Sequence, residues 1–271
     1  MKQQFKKIAL IAAVTAAFGV VSNNALADQI FTIAESVAQP ANPNSQTFTA
    51  TEISGRYGES VTFGSIGNTF STTLIFKANQ FSGGTVPQFT DLNVQGGYQL
   101  YATLSASGTY TQDAQGTHFF FTPGSGSGLQ VYLDSDSKTT FSSFAQTNTP
   151  VAPTLNTNGS PDTIIATGAV LPNSGGDLKC DFGSNCGSFG TTTSFTRLSG
   201  FFAAPNPFYD MTFSSGDFAG FVPVAGQTQY TVGGLSLVFK PLAAVPEPES
   251  IALFGIGLLG LGLTMRRRKQ A

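Results

Sequence analysis

Through the middle of the chain, apolar and polar residues alternate with a period of two. Phe70, Thr72, Leu74 and Phe76 fall on one face, with Ser71, Thr73 and Lys77 opposite. Tyr98, Leu100, Ala102 and Leu104 repeat the pattern, followed by Leu129, Val131 and Leu133. It returns near the end in Tyr209, Met211 and Phe213, then in Leu235, Leu237 and Phe239. Alternation of this kind puts one face against a core and the other in water, as antiparallel sheets do. Further strands are expected at 46–53, 59–66, 117–122, 163–170 and 194–202. About ten short strands separated by turn residues predict an all-β fold, an antiparallel β-sandwich or jelly-roll-like domain.

The intervening stretches punctuate this pattern. Phe81-Ser82-Gly83-Gly84 and the Gly/Ser run 122–128 read as turns. Residues 146–162 carry Pro150, Pro153 and Pro161 and are expected to form either a long surface loop within one domain, the favoured reading, or a linker between two lobes. No repeat recurs along the chain, which argues against a solenoid or propeller.

Both ends depart from period two. Lys2, Lys6 and Lys7 precede an apolar run from Ile8 to Val21, and Ala25-Leu26-Ala27 offers the small residues a signal peptidase reads. Residues 1–27 are therefore expected to be a signal peptide, with the mature chain starting at Asp28. At the other end, Pro246-Glu247-Pro248 precedes an apolar run from Ile251 to Met265, closed by Arg266, Arg267, Arg268 and Lys269. A helix over 251–265 would be roughly 22 Å long, against a hydrocarbon core of about 30 Å. It spans if the bilayer thins and the basic side chains snorkel to the headgroups. The basic stop stays cytoplasmic and leaves the body on the far side. The expected organisation is a signal peptide over 1–27, an exported all-β domain over 28–244, and a sorting segment with a transmembrane helix over 245–271.

A Val-Pro-Glu-Pro stretch, a short Gly/Leu-rich helix and a terminal arginine cluster resemble the PEP-CTERM sorting signal of Gram-negative bacteria. The resemblance covers about residues 245–270 and matches the family tripeptide with Pro246, Glu247 and Pro248. It implies recognition by exosortase, a membrane protease-transpeptidase. It also implies export through the inner membrane, a membrane-anchored stage, and a destination at the cell surface or in the extracellular matrix. Gly255-Ile256-Gly257-Leu258-Leu259-Gly260 satisfies the spacing of a dinucleotide fingerprint, but it lies in the apolar tail without a βαβ unit, so no cofactor is expected.

Composition narrows the role of the body. Residues 28–245, about 218 in all, hold six basic residues (Arg56, Lys77, Lys138, Lys179, Arg197, Lys240) against thirteen acidic ones. The body thus carries a net −7, hidden in the whole-chain −2 by the basic ends. Such a surface has no footprint for nucleic acid. The 25 phenylalanines exclude a disordered chain despite its many Ser, Thr and Gly residues.

Few residues carry candidate chemistry. Cys180 and Cys186 enclose a short polar loop in an exported chain and are expected to form a structural disulfide. His118 is the single histidine, and it is read as a surface or edge-strand residue rather than a general base. Asp134-Ser135-Asp136-Ser137 lacks the glycine and distal glutamate of an EF-hand and is read as a solvated turn. Glu35, Glu52 and Glu59 show no acid–base spacing, and Leu171-Pro172-Asn173-Ser174-Gly175, although sortase-like, is read as a turn. No catalytic, cofactor or metal residue is assigned.

The leading expectation is a non-catalytic surface or matrix protein, with exopolysaccharide as partner, supporting aggregation, flocculation or biofilm formation. Phe31-Thr32-Ile33-Ala34-Glu35-Ser36, Phe48-Thr49-Ala50 and the late cysteine pair also resemble flocculation-associated PEP-CTERM proteins. A carbohydrate-binding module is the alternative, with Tyr57, Tyr98, Tyr101, Tyr132 and Tyr209 as candidate stacking platforms and no Trp to strengthen it. A secreted hydrolase is the second alternative.

Overall fold

The computed structural model describes residues 29–113, 116–142, 152–159, 161–178, 188–215 and 223–240. The signal peptide, the sorting segment with its apolar run, and Cys180 and Cys186 lie outside the described residues.

Sixteen strands are described: Phe31–Ala34 (β1), Thr47–Ala50 (β2), Glu52–Phe63 (β3), Thr69–Ser82 (β4), Gln99–Asp113 (β5), Gly116–Phe121 (β6), Gly128–Asp134 (β7) and Thr140–Ser142 (β8). Thr154–Asn156 (β9), Thr163–Gly168 (β10), Gly175–Leu178 (β11), Ser188–Thr193 (β12), Thr196–Arg197 (β13), Phe202–Ala204 (β14), Asp210–Ser215 (β15) and Thr228–Lys240 (β16) follow. Among the described residues no helix is long and apolar enough to cross a membrane.

The alternation sets the packing. In β4, Phe70, Thr72, Leu74, Phe76 and Ala78 are buried, while Thr69, Ser71 and Thr73 are exposed. The strand expected at 46–53 is present as β2, and the one expected at 59–66 starts earlier, as β3 from Glu52, because the glycines of β3 serve the sheet instead of ending it. A Cβ on Gly55 would stand 2.0 Å from the Lys77 carbonyl oxygen. Glycine admits that approach where the register with β4 slips between Ser54 and Gly55.

The sheet closes on itself. β5 pairs along one edge with β4, while its other edge is shared: residues 99–105 pair with β7 and residues 108–113 with β6. The second pairing joins β6–β11–β12–β15–β16–β3–β4–β5 into an eight-stranded antiparallel barrel. β7, β10 and β13 continue outward from the first half of β5. The expected all-β antiparallel class is present, but as a barrel with flanking strands in place of a sandwich. A barrel of eight strands is about wide enough for side chains to fill. Here Tyr57, Phe63, Phe76, Phe213 and Phe239 are fully buried.

A three-stranded sheet, β14–β1–β2, packs at one end of the barrel. Its Phe202 joins Phe195 and Phe208, with ring centroids 5.1 Å apart for Phe195–Phe202 and 5.5 Å for Phe202–Phe208. The single strand expected at 194–202 is instead two short ones, β13 and β14. Between them the chain turns at Leu198–Phe201, where Leu198 is exposed and Phe201 buried. The expected loop at 146–162 contains β9, which pairs with β8.

Candidate functional site

The outer face of the barrel over β16, β3, β4 and β5 is built from the polar half of each alternating strand. Register aligns these residues into rows. Thr228 pairs with Thr62, Thr62 with Ser71, and Ser71 with Ser107. One step along the barrel, Tyr230 pairs with Ser60, Ser60 with Thr73, and Thr73 with Ser105. All eight carry a hydroxyl, and no charged residue stands in either row. Thr228, Thr62, Ser71 and Thr73 are exposed, and the other four are half-buried. The Thr62 and Thr228 hydroxyls bond to each other at 2.9 Å. Neighbouring strands are about 4.8 Å apart and like-facing residues about 7 Å apart along a strand, so the hydroxyls form a lattice.

Below this lattice the face is covered. Phe141 of β8 lies 5.4 Å from the Tyr101 ring and beneath the Lys77 ammonium at 5.2 Å. Burial lowers the Lys77 pKa, an effect partly opposed by the charge of Asp134. Tyr101 stacks on Tyr132 at 4.8 Å and donates to Asp162 Oδ2 at 2.5 Å.

Inside the barrel sits a carboxylate. Glu59 lies between Tyr57 and Val61 on the inward face of β3 and is 1% exposed. Thr72 donates to its Oε1 at 2.5 Å, and Oε2 has no partner among the described residues. Burial pushes its pKa up to about 7, with the Thr72 bond opposing. Glu59 was not placed inside from the sequence; the signal that could have found it is a carboxylate in phase with Tyr57, Val61 and Phe63.

Two other acids join separate segments, Glu35 between loops and Glu52 between neighbouring strands. Glu35 accepts from the Asp91 backbone N–H at 2.9 Å, from Tyr98 Oη at 3.1 Å and from the Gln46 N–H at 3.4 Å. Burial raises its pKa against those bonds. Glu52 accepts from the hydroxyls of Ser236 and Ser82.

The residues singled out by sequence fall as follows. Asp134 heads a turn, with Oδ1 accepting from the Asp136 N–H at 3.1 Å and Oδ2 from the Thr139 N–H at 2.8 Å. Burial raises the Asp134 pKa, which those N–H bonds counter. Among the described residues no three His, Cys, Asp or Glu side chains are grouped to hold a metal. His118 sits half-buried near the start of β6, its Nε2 3.2 Å from Asp113 Oδ1. Asn173, at φ 63°, makes the turn expected at 171–175.

The tyrosine platforms require correction. Tyr57, Tyr98 and Tyr101 are 0%, 0% and 1% exposed, because their rings fall in phase with the core or under a covering strand. They offer no face to a sugar. Tyr132 is half-buried against Tyr101, and Tyr209 donates to the Ile30 carbonyl at 3.3 Å. Tyr230, in the hydroxyl rows, was missed, because its position there depends on the pairing of β16 with β3.

A groove of about 740 Å³ opens beside β13 and β15, lined by Phe195, Arg197, Leu198, Pro207, Phe208 and Asp210 among others. Arg197 Nη1 donates to the Phe202 and Ala203 carbonyls at 2.6 and 2.8 Å, and its guanidinium lies 5.7 Å from the Phe208 ring. Burial raises the pKa of Asp210.

The chain matches no curated protein and no solved structure. Residues 244–269 match the family described as the PEP-CTERM protein-sorting motif, one residue before the stretch read from sequence. That motif marks an exported protein, processed by exosortase from a membrane-anchored state in Gram-negative bacteria and destined for the cell surface. The chain carries a PEP-CTERM protein-sorting motif at residues 244–269.

Proposed function

We propose that the sorted protein is a non-catalytic surface or matrix component whose hydroxyl lattice holds exopolysaccharide and so supports aggregation, flocculation or biofilm formation. One observation carries this reading: two adjacent rows of uncharged hydroxyl residues across four strands, Thr228–Thr62–Ser71–Ser107 and Tyr230–Ser60–Thr73–Ser105. A hydroxyl both donates and accepts, as sugar hydroxyls do. Each exchange of water for glycan contributes only about 0.5–1.5 kcal/mol, so a repeating surface suits a repeating polymer. Tyr230 adds an aromatic ring at one end of its row.

The acids favour the same reading. Glu35, Asp134 and Asp162 accept hydrogen bonds from the protein itself, and Glu59 is enclosed in the barrel. The experiment is deletion in the host with sedimentation of the culture as readout. Loss of aggregation, restored by the full chain and not by a chain with Ser71→Asp and Thr73→Asp, is expected. Aggregation that survives the deletion removes the matrix role.

A further inference from the structure

The groove beside β13 and β15 lies where the described body ends. β16 stops at Lys240, whose cross-strand partner, Asp210, lines the groove. Pro207 and Phe208, just before Asp210 in the chain, also line the groove. The ten residues after Lys240 read Pro-Leu-Ala-Ala-Val-Pro-Glu-Pro-Glu-Ser. Their composition complements the groove: apolar side chains for Phe195, Leu198 and Phe208, and acids for Arg197. Two backbone carbonyls hold the Arg197 guanidinium in place, and among the described residues no carboxylate pairs with it. Asp210 offsets part of that charge at the Lys240 end.

We propose that the groove is the seat of this chain's own segment 241–250, with Arg197 facing the Glu247 carboxylate, so that the folded body holds the Pro-Glu-Pro motif until exosortase takes it. This rests on the sorting assignment of that motif. Seven residues from Lys240 to Glu247 reach at most about 23 Å when extended, enough to cross a groove of this size. The prolines favour an extended backbone, which lowers the entropy lost on docking. The tether keeps the segment near the groove at an effective concentration on the order of millimolar, ahead of any untethered competitor. The released body would then have a vacated groove that the anchored precursor lacks.

The test places the photo-crosslinking residue p-benzoylphenylalanine at Leu198, which is 57% exposed, in the full-length chain in detergent. A second variant carries the probe at Ser199, and circular dichroism of both must match the parent. Crosslinks mapping to residues 241–250 are expected, and Glu247→Gln should reduce their yield by up to about fivefold, the upper end for an exposed ion pair. Crosslinks confined to a second copy, to detergent or to other parts of the body would overturn the proposal. A parallel arm scores tail removal in the host. Normal removal without the crosslink sinks the docking alone, while the crosslink without removal sinks the sorting assignment.

Discussion

The ring of Phe31 lies 4.6 Å from that of Phe239, edge to face at 65°. The first strand of the described body is thereby fastened to the last, and Phe208 closes the contact 5.0 Å from Phe239. The body's two ends therefore leave from the same end of the barrel.

Because Phe239 is 1% exposed in this cluster, Phe239→Ala should destabilise the protein by about 3–5 kcal/mol. Phe120, on the outer face and 53% exposed, is the control, and its replacement by Ala should stay within about 0.5 kcal/mol of the parent. Urea denaturation of both variants checks the contrast. Equal losses would show that the aromatic cluster does not hold the ends together.

Glu59 gives stability an unusual pH dependence. Its pKa is about 7 in the fold against an ordinary 4.5, so the folded state binds more protons between those values. Stability should fall as pH rises from about 4.5 to 7 and stay low above, by roughly 3 kcal/mol in all. Glu35, Asp134 and Asp210 are raised as well and act in the same direction. Glu59→Gln should remove most of the slope and stabilise the protein at about pH 8. Denaturation midpoints at about pH 5 and about pH 8 decide the matter. A parent that is the more stable at the higher pH contradicts the buried carboxylate.

Cys180 and Cys186 are predicted to be bonded. The described strands on either side of them, β11 and β12, pair through Asp177 and Ser188. Alkylation before reduction should label neither cysteine, and alkylation after reduction should label both. Reduction should cost about 2 kcal/mol by the chain-entropy account and leave the barrel folded. Ready labelling of the unreduced, exported protein would refute the bond.

What was legible in the sequence was what period two controls. Phe70, Leu74 and Phe76 are buried with Ser71 and Thr73 exposed, as alternation requires. Barrel closure was not legible, because β5 serves two different strands on one edge and no local residue announces the second pairing. Tyr101 illustrates the limit for sites: its hydroxyl bonds to Asp162, 61 positions away, and its ring is covered by a strand from a third part of the chain. The hydroxyl rows were legible strand by strand, since Ser71 and Thr73 were placed on the polar face. Their assembly across β16, β3, β4 and β5 rests on register over more than 150 residues of sequence separation, as in Thr62–Thr228, which are 166 apart. The sorting motif could be read directly, because its order of motif, apolar run and basic cluster is local.

The most direct test of the hydroxyl lattice is retention of the purified protein on exopolysaccharide from its own host. Replacing Ser71 and Thr73 by Asp puts charge at the centre of both rows, and retention should fall about tenfold or more as hydroxyl pairs are lost across the face. Thr47→Asp, at an exposed position on β2 away from that face, should bind as the parent does. Unchanged retention of the double variant, or an equal loss in the Thr47 variant, would contradict the assignment of this face to polysaccharide.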